Sequence, residues 1–144
     1  MLKFAALAFV ASYAMGATCE SLNSLSIPHT AIVAESVAAG AFTPPAPAGG
    51  GKGKAKGGGG NAFADLPAFC RVQVTSKPSA DSDIKIEYWL PVAGWNGNFE
   101  ANGNGGWTGS ITPNTLATNM ERGYASAMTD TGHVGGSASS AVGH

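Results

Sequence analysis

Charge is scarce in this sequence. Lysine and arginine number 8 and aspartate and glutamate 9, for a net charge of −1. A chain this near neutrality carries no electrostatic footprint for nucleic acid or for an acidic membrane surface. Cysteine is scarcer, with only Cys19 and Cys70, and neither has a second thiol or a histidine at ligand spacing, which argues against a metal site built on them. The apolar run from Phe4 to Ala11 falls short of the roughly 20 residues that a bilayer-spanning helix needs. Glycine, at 21 residues, is clustered rather than placed at every third position, which excludes collagen.

What is present starts with a leader. Lys3 supplies a positive n-region, Phe4 to Val10 with Ala11 an apolar core, and Ala14-Met15-Gly16 small residues at the cleavage positions, with Ala17 an alternative end. Residues 1–16 are read as a secretory signal peptide against the competing reading of a buried N-terminal helix. The protein is expected to be secreted, either extracellular or periplasmic. In an oxidising compartment Cys19 and Cys70 are expected to form a disulfide closing a loop of about fifty residues, which chain entropy values at about 4 kcal/mol. Two buried free thiols, or pairing with cysteines outside this sequence, are the alternatives.

Along the chain, Thr30 to Val37 reads as a strand, and residues 43–61 form a Pro-, Gly- and Lys-containing low-complexity run that cannot bury a core. Lys52, Lys54 and Lys56 within it read as solubilising rather than as a cationic patch. The run is read as a surface insertion inside one domain, because the two cysteines would tie its flanks together. Phe69 to Thr75 alternates as a strand, with Cys70, Val72 and Val74 on one face. Lys77 to Asp83 is a turn; Asp81 and Asp83 lack the further oxygens of a calcium loop. Ile84 to Pro91 is the clearest strand, with Ile84, Ile86, Tyr88 and Leu90 facing one way and Lys85, Glu87 and Trp89 the other. Asn98 to Ala101 is a short strand. Thr112-Pro113 opens a helix that runs to Arg122, with Leu116, Ala117 and Met120 as its apolar stripe and Gly123 as its C-terminal cap. Tyr124 to Thr129 is a last strand whose small residues suit cover on both faces.

Between short strand and helix lies Asn102-Gly103-Asn104-Gly105-Gly106-Trp107-Thr108-Gly109. Free backbone amides at a strand-to-helix turn can face an anion or a developing oxyanion. Gly105 and Gly106 are the favoured donors, since no strand ladder needs their N–H groups. Trp107 is read either as a wall of an acyl pocket or as packing under the loop. Asp130-Thr131-Gly132-His133 follows the last strand, at the end of a strand where α/β proteins keep their sites. Asp130 and His133 are expected to bond loop backbone and brace the turn. A local triad of Asp130, His133 and Ser137, Ser139 or Ser140 is disfavoured because no elbow exposes a serine, and a metal on His133 and His144 lacks a third ligand. The order of elements is that of an incomplete α/β sheet. With one helix available to cover it, the chain is expected to be an N-terminal fragment.

Taken together, Phe69-Cys70-Arg71-Val72, Tyr88-Trp89-Leu90-Pro91, Trp95-Asn96-Gly97, Gly103 to Ser110 with Ile111, Arg122-Gly123-Tyr124-Ala125 and Thr129 to His133 resemble, in this order and spacing, the start of the tannase and feruloyl esterase family. The likeness spans about residues 19–42 and 62–133; the low-complexity run departs from the pattern. It implies that residues 17–144 are the N-terminal part of a secreted α/β-hydrolase domain that cleaves small phenolic-acid esters, of feruloyl or galloyl type or in plant cell wall, by serine acyl transfer. It implies an oxyanion-hole glycine in the Gly103 to Gly106 run and a Cys19–Cys70 bond. The family's Cys-Ser-x-Gly-Gly elbow, triad Asp and triad His do not occur here, and neither does Gly-x-Ser-x-Gly. The lid domain, in which many members hold calcium, is also absent, so no catalytic residue and no metal ligand is assigned within the sequence. The rival reading is a secreted, non-catalytic binding or surface module whose glycine loop is an ordinary turn.

Overall fold

The computed structural model describes residues 17–45 and 63–137. The expected signal peptide, residues 46–61 of the low-complexity run with its three lysines, and Ser139, Ser140 and His144 lie outside the described residues. A short 3-10 helix, Cys19–Ser24, is followed by β1 (Thr30–Val37), β2 (Phe69–Ser76), β3 (Ile84–Pro91), β4 (Phe99–Asn102), α1 (Pro113–Glu121) and β5 (Ala125–Thr129). The strands form one mixed sheet in the order β1-β2-β3-β5-β4. This is an α/β fold, as the sequence leads one to expect.

Connection length explains the pairing. β1, β2 and β3 run antiparallel in sequence, and β3 also pairs antiparallel with β5. Only β4 and β5 are parallel, with Phe99 opposite Ala125 and Asn102 opposite Met128. A parallel neighbour needs a crossover, and α1 provides it. The crossover brings β5 back between β3 and β4, so Tyr124 to Thr129 is a central strand and β4 an edge.

Two hydrophobic layers flank the sheet. On one face Phe69, Trp89 and Met128 pack with Leu116, Ala117 and Met120 of α1 and with Phe42, Phe63 and Leu66. Phe42 sets its ring edge-on to Phe63 at 5.1 Å and to Trp89 at 4.6 Å, while Phe69 stacks on Trp89 at 4.4 Å. Phe42 and Phe63 flank the low-complexity run, and the Gly40 amide donates to the Leu66 carbonyl at 3.0 Å, so the two flanks meet. On the other face Ala34, Cys70 and Val72 pack with Leu22, Ile32, Val74, Tyr88 and Leu90. There the Cys19–Cys70 disulfide, spanning 51 residues, ties the 3-10 helix to β2.

Three details depart from expectation. Alternation on β3 marks Ile84, Ile86, Tyr88 and Leu90 as the apolar face, yet the deeper burial is on the opposite face, with Trp89 at 0% exposure and Glu87 at 7%. That face lies under the aromatic cluster, and Glu87 is neutralised there by Arg71, whose Nε donates to it at 2.7 Å. Thr112 stands at the N-cap of α1, but its hydroxyl makes no capping bond; Pro113 in the first turn starts the helix. Finally, among the described residues β5 is covered by α1 on one face alone. Ala127 on the other face lines an open groove with Ile86, Tyr88, Phe99 and Ala101. At the helix end, Gly123 takes φ +76°, as a C-terminal cap requires.

Candidate active site

Because β4 and β5 are parallel neighbours, the segments that follow them leave the sheet on the same side. One carries Gly103 to Ile111 and the other Asp130 to Gly136. In open α/β sheets the carboxyl ends of the strands are where ligand groups gather.

The first segment turns at Gly105 to Thr108, closed by the Thr108 amide donating to the Gly105 carbonyl at 3.1 Å. Gly106 adopts φ +58°, the left-handed region that L side chains avoid. The turn is exposed, and the Gly105 and Gly106 amides donate to no group among the described residues. Trp107 is 61% exposed, so its indole does not pack under the loop.

The descending arm of the turn is sewn to the second segment. Gly109 and Gly135 exchange two backbone hydrogen bonds, of 2.7 and 3.1 Å. The His133 ring reaches the Trp107 carbonyl through Nε2 at 2.9 Å. A carbonyl only accepts, so Nε2 carries the proton in this contact. Nδ1 lies 3.3 Å from the Thr131 hydroxyl. Asp130 is buried, and its Oδ1 accepts from the Lys85 amide at 2.9 Å and the Gly132 amide at 2.8 Å. Asp130 thus holds the second segment to β3, and His133 holds that segment to the glycine turn. The carboxylate does not orient the imidazole, whose nitrogens face Trp107 and Thr131, so the pair lacks the contact a triad needs.

Two asparagines complete the scaffold, and neither stands out in the sequence. Asn104 donates from Nδ2 to the Thr129 carbonyl at 2.6 Å and accepts at Oδ1 from the Ser110 amide at 3.3 Å and hydroxyl at 3.4 Å. Asn119, buried on α1, donates to Asn102 Oδ1 at 2.7 Å and Ser126 Oγ at 3.0 Å, joining α1, β4 and β5. A polar residue adjoining Met120 on the stripe of Leu116 and Ala117 was the one available signal.

A hollow of about 670 Å³ lies on the α1 side of the sheet between Arg71, Glu87, Lys85, Ile111 and Val134, and neither Gly105 nor Gly106 lines it. It is therefore not assigned as the substrate site. Among the described residues, no three His, Cys, Asp or Glu side chains stand together to hold a metal, and no helix is long and apolar enough to cross a membrane.

Comparison with known proteins matches residues 70–143 to the family model described as tannase and feruloyl esterase. An uncharacterized esterase of Xanthomonas campestris is 41% identical over 140 residues, which is 95% of this chain and 22% of that protein. A probable feruloyl esterase B-1 of Aspergillus oryzae is 37% identical over 68 residues, or 47% of this chain and 12% of its own. Among solved structures, feruloyl esterase B from Aspergillus oryzae superposes with a TM-score of 0.62 at 26% identity, covering 82% of this chain and 22% of that one. The chain thus spans about a fifth of the Xanthomonas esterase and of the solved feruloyl esterase B, and about an eighth of the probable feruloyl esterase B-1.

Proposed function

Since the chain belongs to the tannase and feruloyl esterase family, we propose that it carries the oxyanion-stabilising portion of a secreted carboxylic ester hydrolase. The observation that carries this reading is the exposed turn at the end of β4, where two adjacent glycine amides have no acceptor among the described residues. In serine acyl transfer a hydroxyl oxygen attacks the ester carbonyl, whose oxygen gains the negative charge. The C–O bond to the alcohol then breaks, and water releases the acid. Gly105 and Gly106 would donate to the charged oxygen, a contribution that in such sites is worth about 10²- to 10³-fold per donor. Asp130 and His133 act by holding the turn, and no serine, aspartate or histidine of a triad is assigned to these residues. The family resemblance favours phenolic-acid esters of feruloyl or galloyl type as substrates. The disulfide and the expected leader favour export.

A chimaera tests the reading. The 140-residue span of the Xanthomonas esterase that this chain matches is replaced by this chain, and p-nitrophenyl ferulate is added in excess. The 144-residue chain alone is expected to release no burst of p-nitrophenol, and the chimaera to release one equivalent per molecule. A burst from the chain alone, or a folded chimaera that never acylates, contradicts the reading.

A further inference from the structure

We propose that Asn104 is a positioning residue whose carboxamide fixes the direction in which the Gly105 and Gly106 amides point. The inference rests on the esterase reading for its catalytic consequence, but its structural content stands by itself.

The two arms of the turn are held differently. The descending arm has the Gly109–Gly135 bridge and the contact from His133 to Trp107. Among the described residues the ascending arm, Gly103 to Gly106, has no cross-link of that sort to the second segment; the side chain of Asn104 is its anchor to β5. That side chain spans the turn. Nδ2 is tied to the end of β5 at Thr129, and Oδ1 gathers the amide and hydroxyl of Ser110 on the far arm. Thr129 O can only accept and Ser110 N can only donate, so the carboxamide has one satisfying orientation. The residue must offer a donor and an acceptor on a short stem. Aspartate keeps the acceptor, loses the donor, and sets a negative charge one residue from the first amide meant for an oxyanion. Alanine loses both links. Gly105, next in sequence, has neither a positive φ nor, its chain neighbours aside, any atom within 4 Å of where a Cβ would stand. Its carbonyl, coplanar with the Gly106 N–H, is held by the Thr108 amide, so the plane left for Asn104 to fix directly is the one that carries the Gly105 N–H.

The test uses two preparations. In the ¹⁵N-labelled 144-residue chain, Asn104→Ala is expected to shift and broaden the Gly105, Gly106 and Ser110 amide signals, and to leave those of β1 to β3 in place. In the chimaera, Asn104→Ala is expected to lower kcat by about 10- to 100-fold with KM within about twofold, as for a group that acts on the transition state through placement. Asn104→Asp should be slower still, because its charge opposes the one that develops. Thermal midpoints within a few degrees of the parent separate this from general loosening. If the unsubstituted chimaera is inactive, the esterase reading fails and the glycine amide signals still decide whether Asn104 holds the turn. If the chimaera is active and Asn104→Ala acylates at the parent rate with the glycine signals unmoved, the role assigned to Asn104 is overturned.

Discussion

Gly109→Ala is expected to destabilise the chain by about 4 kcal/mol, combining the strain of overpacking with three hydrogen bonds at about 1 kcal/mol each. A Cβ at that position would stand 2.1 Å from the His133 carbonyl oxygen and 2.7 Å from that of Asp130. Both are backbone atoms, and neither can rotate away. The two segments after β4 and β5 would have to part, losing both Gly109–Gly135 bonds and the His133 contact to Trp107. The other glycines of the run provide the contrast. Gly106→Ala meets no atom but must hold φ +58°, a strain of roughly 1 kcal/mol. Gly105→Ala meets open space without a positive φ and should fall within about 0.5 kcal/mol of the parent. Urea unfolding of the three variants ranks them. A Gly109→Ala chain that unfolds at the same midpoint as Gly106→Ala would contradict a tight junction at this position.

Arg71→Ala is expected to cost about 3–5 kcal/mol, the range for a buried ion pair that loses one partner. Arg71 grips Glu87 with two nitrogens, Nε to Oε1 at 2.7 Å and a second nitrogen to Oε2 at 3.2 Å, and reaches Glu35 at 3.2 Å. The guanidinium also lies 5.3 Å from the Phe42 ring centre. Glu87 takes a further bond from the Trp89 indole at 2.7 Å. Without Arg71 a carboxylate beneath the aromatic cluster keeps only that neutral donor. Replacing both partners by leucine should recover most of the loss, because the larger part of it is the stranded charge. Burial works against the charge on Arg71, yet the bond and charge of Glu87, then those of Glu35, outweigh it and raise its pKa above the usual arginine value. A raised basic group stabilises the fold below its unfolded pKa and loses that effect only as pH rises through the folded value. For arginine both lie beyond working conditions, so this contribution should stay flat from about pH 5 to 9. Chemical denaturation of Arg71→Ala, Glu87→Leu and the Arg71→Leu/Glu87→Leu pair measures it; a double variant as unstable as Arg71→Ala rules out the stranded-charge explanation.

Local pattern was enough for the elements themselves. Alternation in Ile84 to Pro91 and in Phe69 to Thr75, Pro113 after Thr112, and Gly123 after the apolar stripe each act within a few residues, and the strands and helix lie within a residue or two of where those signals set them. Which face of β3 is the deeper one was not legible, because Glu87 reads as solvent-facing until Arg71 on the neighbouring strand is paired with it. The insertion of β5 between β3 and β4 depends on the crossover, which no window of sequence contains. In the candidate site, the glycine run and the segment from Asp130 to His133 are visible as composition. Their union is not: Gly109 looks like any other loop glycine until the backbone of His133 is found against it. Asn104 and Asn119 likewise acquire their roles from partners 25 and 17 residues away in sequence.

The most direct check on the account follows the two glycine amides while a tetrahedral anion forms beside them. The chimaera, labelled with ¹⁵N-glycine, is titrated with an aryl boronic acid that bonds to the nucleophilic serine. The amide protons of Gly105 and Gly106 are predicted to move downfield together as the adduct accumulates. An adduct that forms in full while both signals stay where they were would show that the turn faces elsewhere and plays no part in holding the charge.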